Sequence, residues 1–253
     1  MLVDSFIFFN ELDLLESRLE YLYKRVDRFI IVESNRTHTC NFKPLYFLEN
    51  KSRYEKYLDK ITHIVYNNND PTPDPWFHES TQRNYIAKGL EDISDSAWVM
   101  ISDLDEIPSL SAINAVIYRN DTSCYNLQQD MFFYNLNQKL TTPWPGTNIA
   151  RNSQVKEKTP QWFRYHRDKH VKLSNGGWHL SYWGTPDTVR TKIQSFAHKE
   201  LDREEFTNLE LITQRIKNGK DLYGREEIEL VKVDRKTLPS DLLKYFEKCE
   251  VII

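Results

Sequence analysis

At 253 residues the chain has room for one large domain, or for one domain with a helical extension. Its net charge of −3 argues against the basic surface of a nucleic-acid-binding protein, and no run approaches the roughly 20 apolar residues that span a bilayer. Hydrophobic residues at 40 % with only 7 Gly are enough to fill a core, to which most of the 6 Trp, 14 Tyr and 13 Phe are assigned. Three scattered cysteines, Cys40, Cys124 and Cys249, predict reduced thiols. With Met1-Leu2-Val3-Asp4 running straight into a strand and no signal-peptide pattern, the expected compartment is the cytosol, free or peripheral to a membrane. Sequons at Asn35 and Asn120 carry no meaning there.

In chain order, VDSFIFF (3–9) predicts a short strand, Asn10 a cap, and Leu12, Leu15, Leu19 and Leu22 the apolar stripe of a helix. RFIIVES (28–34) predicts a second strand, 35–43 an irregular segment, 50–60 a helix and ITHIVY (61–66) a third strand. The prolines of NNNDPTPDP (67–75) bar a helix there, and a helix around 77–91 leads to a fourth strand, AWVMIS (97–102). Such alternation of helices with near-continuous apolar strands is the pattern of βαβ units around a parallel sheet. Beyond 120, segments 123–129 and 131–137 alternate as antiparallel or mixed strands do. Residues 139–180 read as loop-rich, 186–218 as two helices, 227–233 as a short strand and 239–247 as a last helix. The expectation is a single α/β domain over 1–253, a mostly parallel sheet flanked by helices with a helical C-terminal part. Residues 1–120 would form its nucleotide-binding half, 121–225 its acceptor and metal half and 226–253 a C-terminal extension.

Open parallel sheets bind ligands at the carboxyl ends of their strands. Those ends present Asn10-Glu11, Glu33-Ser34, Asn67 onward and Ser102-Asp103-Leu104-Asp105 on one edge. With 18 Asp in the chain, about one Asp-x-Asp arises by chance, so the triplet is weak taken alone. Directly after an apolar strand both carboxylates leave the sheet together, although they also stand where acids cap a following helix. One or two carboxylates with phosphate oxygens and water suffice to hold a hard divalent cation against a diphosphate leaving group.

DSFIFFNELDLLESRL (4–19), VESN (32–35), SDLDEIP (102–108) and GGWHLSYWG (176–184), in this order, resemble glycosyltransferase family 17 over most of residues 3–225. The resemblance implies a GT-A fold and an inverting, Mn2+- or Mg2+-dependent transfer from a UDP-sugar, UDP-N-acetylglucosamine favoured. It implies metal and diphosphate contacts from Asp103 and Asp105, nucleoside contacts from Asn10, Glu11 and Glu33, and a donor contact from Arg83. His179 would be a third metal ligand or phosphate contact. His198 in FAHKE (196–200), and Lys220 and Arg225 in GKDLYGR (219–225), would close over the diphosphate. Cys40 departs from an expected Gly. Trp178 offers a sugar-stacking face or plain core, Arg83 and Arg225 could be surface ion pairs, and Glu33 a strand-end cap. The general base expected for the acceptor hydroxyl is Asp187, with Asp130 and Glu200 as rivals. The expected acceptor is a glycan or lipid-linked glycan rather than a mature N-glycan. A glycoside hydrolase with paired carboxylates and a silent sugar-nucleotide binder are the alternatives.

Overall fold

The computed structural model describes residues 1–251. The strands are β1 (Leu2–Phe8), β2 (Arg28–Ser34), β3 (Ile61–Tyr66), β4 (Trp98–Asp103), β5 (Glu106–Pro108), β6 (Tyr125–Phe133), β7 (Gln138–Leu140), β8 (Trp144–Arg151), β9 (Val171–Leu173), β10 (Gly177–Ser181) and β11 (Leu230–Lys232). They form one sheet in the order β11-β7-β6-β8-β4-β1-β2-β3, with β10 pairing both β5 and β6, and β9 added to β6. The expected α/β class with helices flanking a central sheet is what the chain adopts. Its parallel part is β3-β2-β1-β4; from β8 onward the pairing is mixed, β8 running antiparallel to both β4 and β6.

Burial explains why β1, β2 and β4 read so clearly. Phe29 and Ile31 of β2 join the core that buries Leu15, Leu19 and Leu22 of the helix Leu12–Leu22. Ile30 and Val32 pack on the other face with Ile86 and Leu90. Both faces are covered, so the strand is apolar at nearly every position, and each such side chain contributes roughly 1.5–3 kcal/mol on burial. A third core gathers Met131 and Phe133 of β6 with Val189, Ile193, Ile212 and Ile216 from the helices Pro186–Ser195 and Leu209–Asn218.

Two stretches differ from expectation. Residues 123–129 and 131–137, read as two segments, contribute a single strand, β6. Residues 139–180, read as loop-rich, hold β8, the helices Asn152–Glu157 and Pro160–Tyr165, β9 and most of β10. Pro145 sits where the β6–β8 register shifts between Asn126 and Gln128, a point at which the ladder is already interrupted. The glycine pair before Trp178 has a steric purpose: Gly177 has φ 121°, and a Cβ there would lie 2.0 Å from the Ile107 carbonyl oxygen. Cys40, standing in place of the expected Gly, takes φ 70°, the left-handed conformation that glycine adopts without strain.

The segment beyond β11 folds back over the start of the chain. Leu242 and Phe246 of the helix Ser240–Phe246 join the core around Tyr21 and Trp178, and Lys248 pairs with Glu20. The Trp183 indole donates to the Cys249 carbonyl (3.0 Å) and the Leu136 N–H to Glu250 Oε1 (2.7 Å). Ile252 and Ile253, the end of the expected C-terminal extension, lie outside the described residues. No helix among the described residues is long and apolar enough to cross a membrane.

Candidate active site

β4 delivers Asp103 at its carboxyl end, a two-residue turn carries Leu104 and Asp105, and β5 begins at Glu106. Glu106 closes this turn by accepting the Asp103 N–H at Oε2 (3.1 Å). Below it lies Arg18, from the helix Leu12–Leu22, fully buried and paired with the equally buried Asp4 of β1 at 2.7 Å. Its guanidinium donates to the carbonyls of Asp103 (3.1 Å), Leu104 (2.9 Å) and Glu106 (2.8 Å) and to Ser102 Oγ (2.7 Å). A single side chain thus fixes the backbone of the whole acidic turn. From the other side β10 holds it, the Leu180 N–H donating to the Asp105 carbonyl at 2.9 Å.

Cations surround the acids. Arg83, on the helix Pro75–Asn84, donates to Asp103 Oδ1 at 2.7 Å and to Glu79 at 3.0 Å. Arg164, on the helix Pro160–Tyr165, donates to Asp103 Oδ2 at 2.7 Å and to both oxygens of Glu106 at 2.6 and 2.9 Å. Trp144 adds an indole N–H to Glu106 Oε1 (2.7 Å). Lys192, on the helix Pro186–Ser195, places Nζ 2.7 Å from Asp105 Oδ2, and His179 Nε2 lies 3.4 Å from Asp105 Oδ1. Burial alone would raise the pKa of both aspartates. For Asp103 the charges of Arg164 and Arg83 outweigh burial, for Asp105 those of Lys192 and His179 do, and both carboxyls titrate below the usual range.

Asn10 and Glu11, at the carboxyl end of β1, line a small cavity with Asp105, Tyr182, Thr188 and Lys192. Asn10, Glu11, Arg83, Asp103, Asp105 and His179 are therefore brought to one region. The other expected residues have these surroundings. Glu33 is fully buried, accepting the Phe47 N–H at 3.0 Å with His63 Nε2 at 3.2 Å and Lys43 Nζ at 3.6 Å. Trp178 packs on Tyr21 and Phe246 in the core. His198 is exposed, 2.7 Å from Glu200 and edge-on to Trp76. Arg225 pairs with Asp221 (2.7 Å), and the Lys220 carbonyl accepts the Tyr134 hydroxyl (3.0 Å). Asp187 pairs with Arg190 and Asp130 with Lys139, the first carboxylate largely in solvent and the second about half-exposed.

Arg164, Lys192 and Glu79 were missed in the sequence. Arg164 stands in a stretch read as loop, and Lys192 on a helix with no motif around it, so neither carried a local signal. Among the described residues no group of three His, Cys, Asp or Glu side chains converges on one point.

No curated protein matches the sequence. A solved structure, the 2-C-methyl-D-erythritol 4-phosphate cytidylyltransferase of Francisella tularensis, is similar at 8 % identity and a TM-score of 0.36, over 69 % of this chain and 90 % of that one. The model of glycosyltransferase family 17 matches residues 1–228. An acidic turn at a sheet edge, ringed by basic side chains, thus falls within that match, and the chain belongs to glycosyltransferase family 17, a family of sugar-transferring enzymes.

Proposed function

We propose that the chain moves N-acetylglucosamine from its UDP conjugate to a hydroxyl of a glycan or lipid-linked glycan, with inversion and with the help of Mn2+ or Mg2+. The observation that carries this reading is the pairing of Asp105 with His179 at 3.4 Å beside the Lys192 ammonium. Carboxylate and imidazole are both ligands for such ions, which take their remaining ligands from substrate phosphates and water. Lys192 is a cation already seated on Asp105, which indicates that this carboxylate is shaped to hold positive charge. Asp103 has a different part: each of its oxygens is engaged by a guanidinium. When bound, the ion would supply Lewis-acid stabilisation of the departing diphosphate.

The remaining work falls to the side chains. Arg83, Arg164 and Lys192 bring three positive charges to the acidic turn, arranged before the reaction starts, where the diphosphate's negative charge grows as the glycosidic bond breaks. Asn10 and Glu11, with a donor and acceptors at the end of β1, suit the nucleoside. For the acceptor proton we retain Asp187, which immediately precedes the cavity-lining Thr188 on the helix that carries Lys192. Asp130 is in register with Trp178, and strand alternation puts it on the face opposite His179. Asp187→Asn is expected to lower turnover by about 10²- to 10⁴-fold while leaving UDP affinity unchanged. Wild-type turnover in that variant, with a loss in Asp130→Asn, would transfer the role to Asp130.

The direct test is a screen of sugar nucleotides in manganese for transfer or slow hydrolysis, read with thermal shifts. UDP with Mn2+ is expected to raise the melting temperature more than either alone, since a ligand at 100 times its Kd adds about 2.7 kcal/mol to stability. A chain stabilised by no uridine nucleotide, with or without Mn2+, would refute the donor class.

A further inference from the structure

Three basic side chains reach the acidic turn, and they are held differently. Arg83 is 1 % and Arg164 15 % exposed at the side chain, and each guanidinium is shared between two carboxylates. Lys192 is 28 % exposed; Asp105 is its one close partner, and the next carboxylate, that of Glu11, lies 3.9 Å away. Its helix is anchored: Thr185 caps the start, Val189 and Ile193 are buried, and the Gln194 and Ser195 carbonyls accept from the Thr39 hydroxyl and the His38 N–H. The backbone is therefore fixed, while the four-carbon stem leaves the ammonium free to swing.

We propose that Lys192 is a resident counter-ion that couples the binding of the divalent cation to that of the nucleotide, an inference resting on the metal-site reading above. Without nucleotide, the ammonium holds Asp105 and repels a second cation from the same carboxylate. An arriving diphosphate gives the ammonium new oxygen partners within the reach of its stem, and Asp105 becomes available to the ion. Displacing Lys192 without that replacement would strand its charge beside Glu11 alone. Metal and diphosphate consequently favour each other, and by linkage the factor is the same in both directions. The device keeps the acidic turn neutralised in the resting protein, and it disfavours loading with metal before a donor is present.

The test is Mn2+ binding to the full chain, followed by the electron paramagnetic resonance of free Mn2+, with and without UDP, in the wild type, Lys192→Met and Asp105→Asn. Wild type is expected to bind Mn2+ weakly alone and far more tightly with UDP. Lys192→Met is expected to bind Mn2+ alone about tenfold more tightly than wild type, and UDP should improve that affinity by a smaller factor. Asp105→Asn should bind Mn2+ more weakly than wild type both with and without UDP. If Lys192→Met binds Mn2+ alone no better than wild type, while Mn2+ and UDP still bind together, the counter-ion idea fails and the metal site stands. If wild type fails to bind Mn2+ even with UDP, or Asp105→Asn binds it as wild type does, both fall.

Discussion

Asp105→Asn is expected to lower UDP-sugar turnover at saturating donor and manganese by about a thousandfold, roughly 4 kcal/mol of transition-state stabilisation. The amide keeps the shape of the side chain but loses the charge that faces both His179 and Lys192. Asp105 sits on a turn fixed from below by Arg18 and from the side by Leu180, so the substitution alters the charge and leaves the backbone in place. Initial rates, with near-UV circular dichroism to confirm the fold, decide the matter. A folded variant within tenfold of wild type would remove Asp105 from the centre of the site. Asp103→Asn makes the instructive comparison, because its loss releases Arg83 and Arg164 toward the diphosphate, and the loss in rate should be smaller.

The second large effect concerns stability. Arg18→Met is expected to cost about 3–5 kcal/mol, the range for removing one partner of a buried ion pair. Methionine fills much the same volume, but Asp4 is left as a buried carboxylate without its cation, and the carbonyls of Asp103, Leu104 and Glu106 lose a donor. Urea unfolding monitored by tryptophan fluorescence measures the change. A loss under 1 kcal/mol would mean that the turn is held by β5 and β10 alone. The double variant Asp4→Leu with Arg18→Met should recover part of the loss, since it removes the stranded charge while leaving the turn unsupported. The carbonyl contacts make Arg18 a positioning residue for the acidic turn, as well as one half of an ion pair.

Legibility in the sequence followed the range of the interactions. β1, β2 and β4 could be read because each is buried on both faces, and apolar runs such as FIIV at 29–32 record that burial locally, while β3, a half-buried edge strand, was read from its β-branched run ITHIV. β8 could not, since Pro145 and Gly146 mark turns in most contexts and are tolerated here only at a shift of register. Asp103, Asp105, Arg83 and His179 were legible through the motifs around them. The residues that give those acids their electrostatic character were not: Arg164 reaches Asp103 across 61 positions of chain, and Lys192 reaches Asp105 across 87. A lysine on a helix looks the same in sequence whether it meets solvent or a buried carboxylate. Trp178 illustrates the converse, since its setting beside His179 suggested a sugar platform while Tyr21 and Phe246 enclose its ring.

The fold-back of the C-terminal segment has a kinetic meaning. Lys248 meets Glu20 across 228 residues, Glu250 meets Leu136 across 114, and Cys249 meets Trp183 across 66. Closing loops of that length carries an entropic cost that no neighbouring contact offsets in advance, so this clasp closes only on a surface already built from the Leu12–Leu22 helix and β10. On a ribosome, the strands bearing Asp103 and His179 emerge long before the segment that seals the core behind them. Until it arrives, the apolar surface of Tyr21 and Trp178 is open to water, and the nascent chain is exposed to misassembly behind the acidic turn.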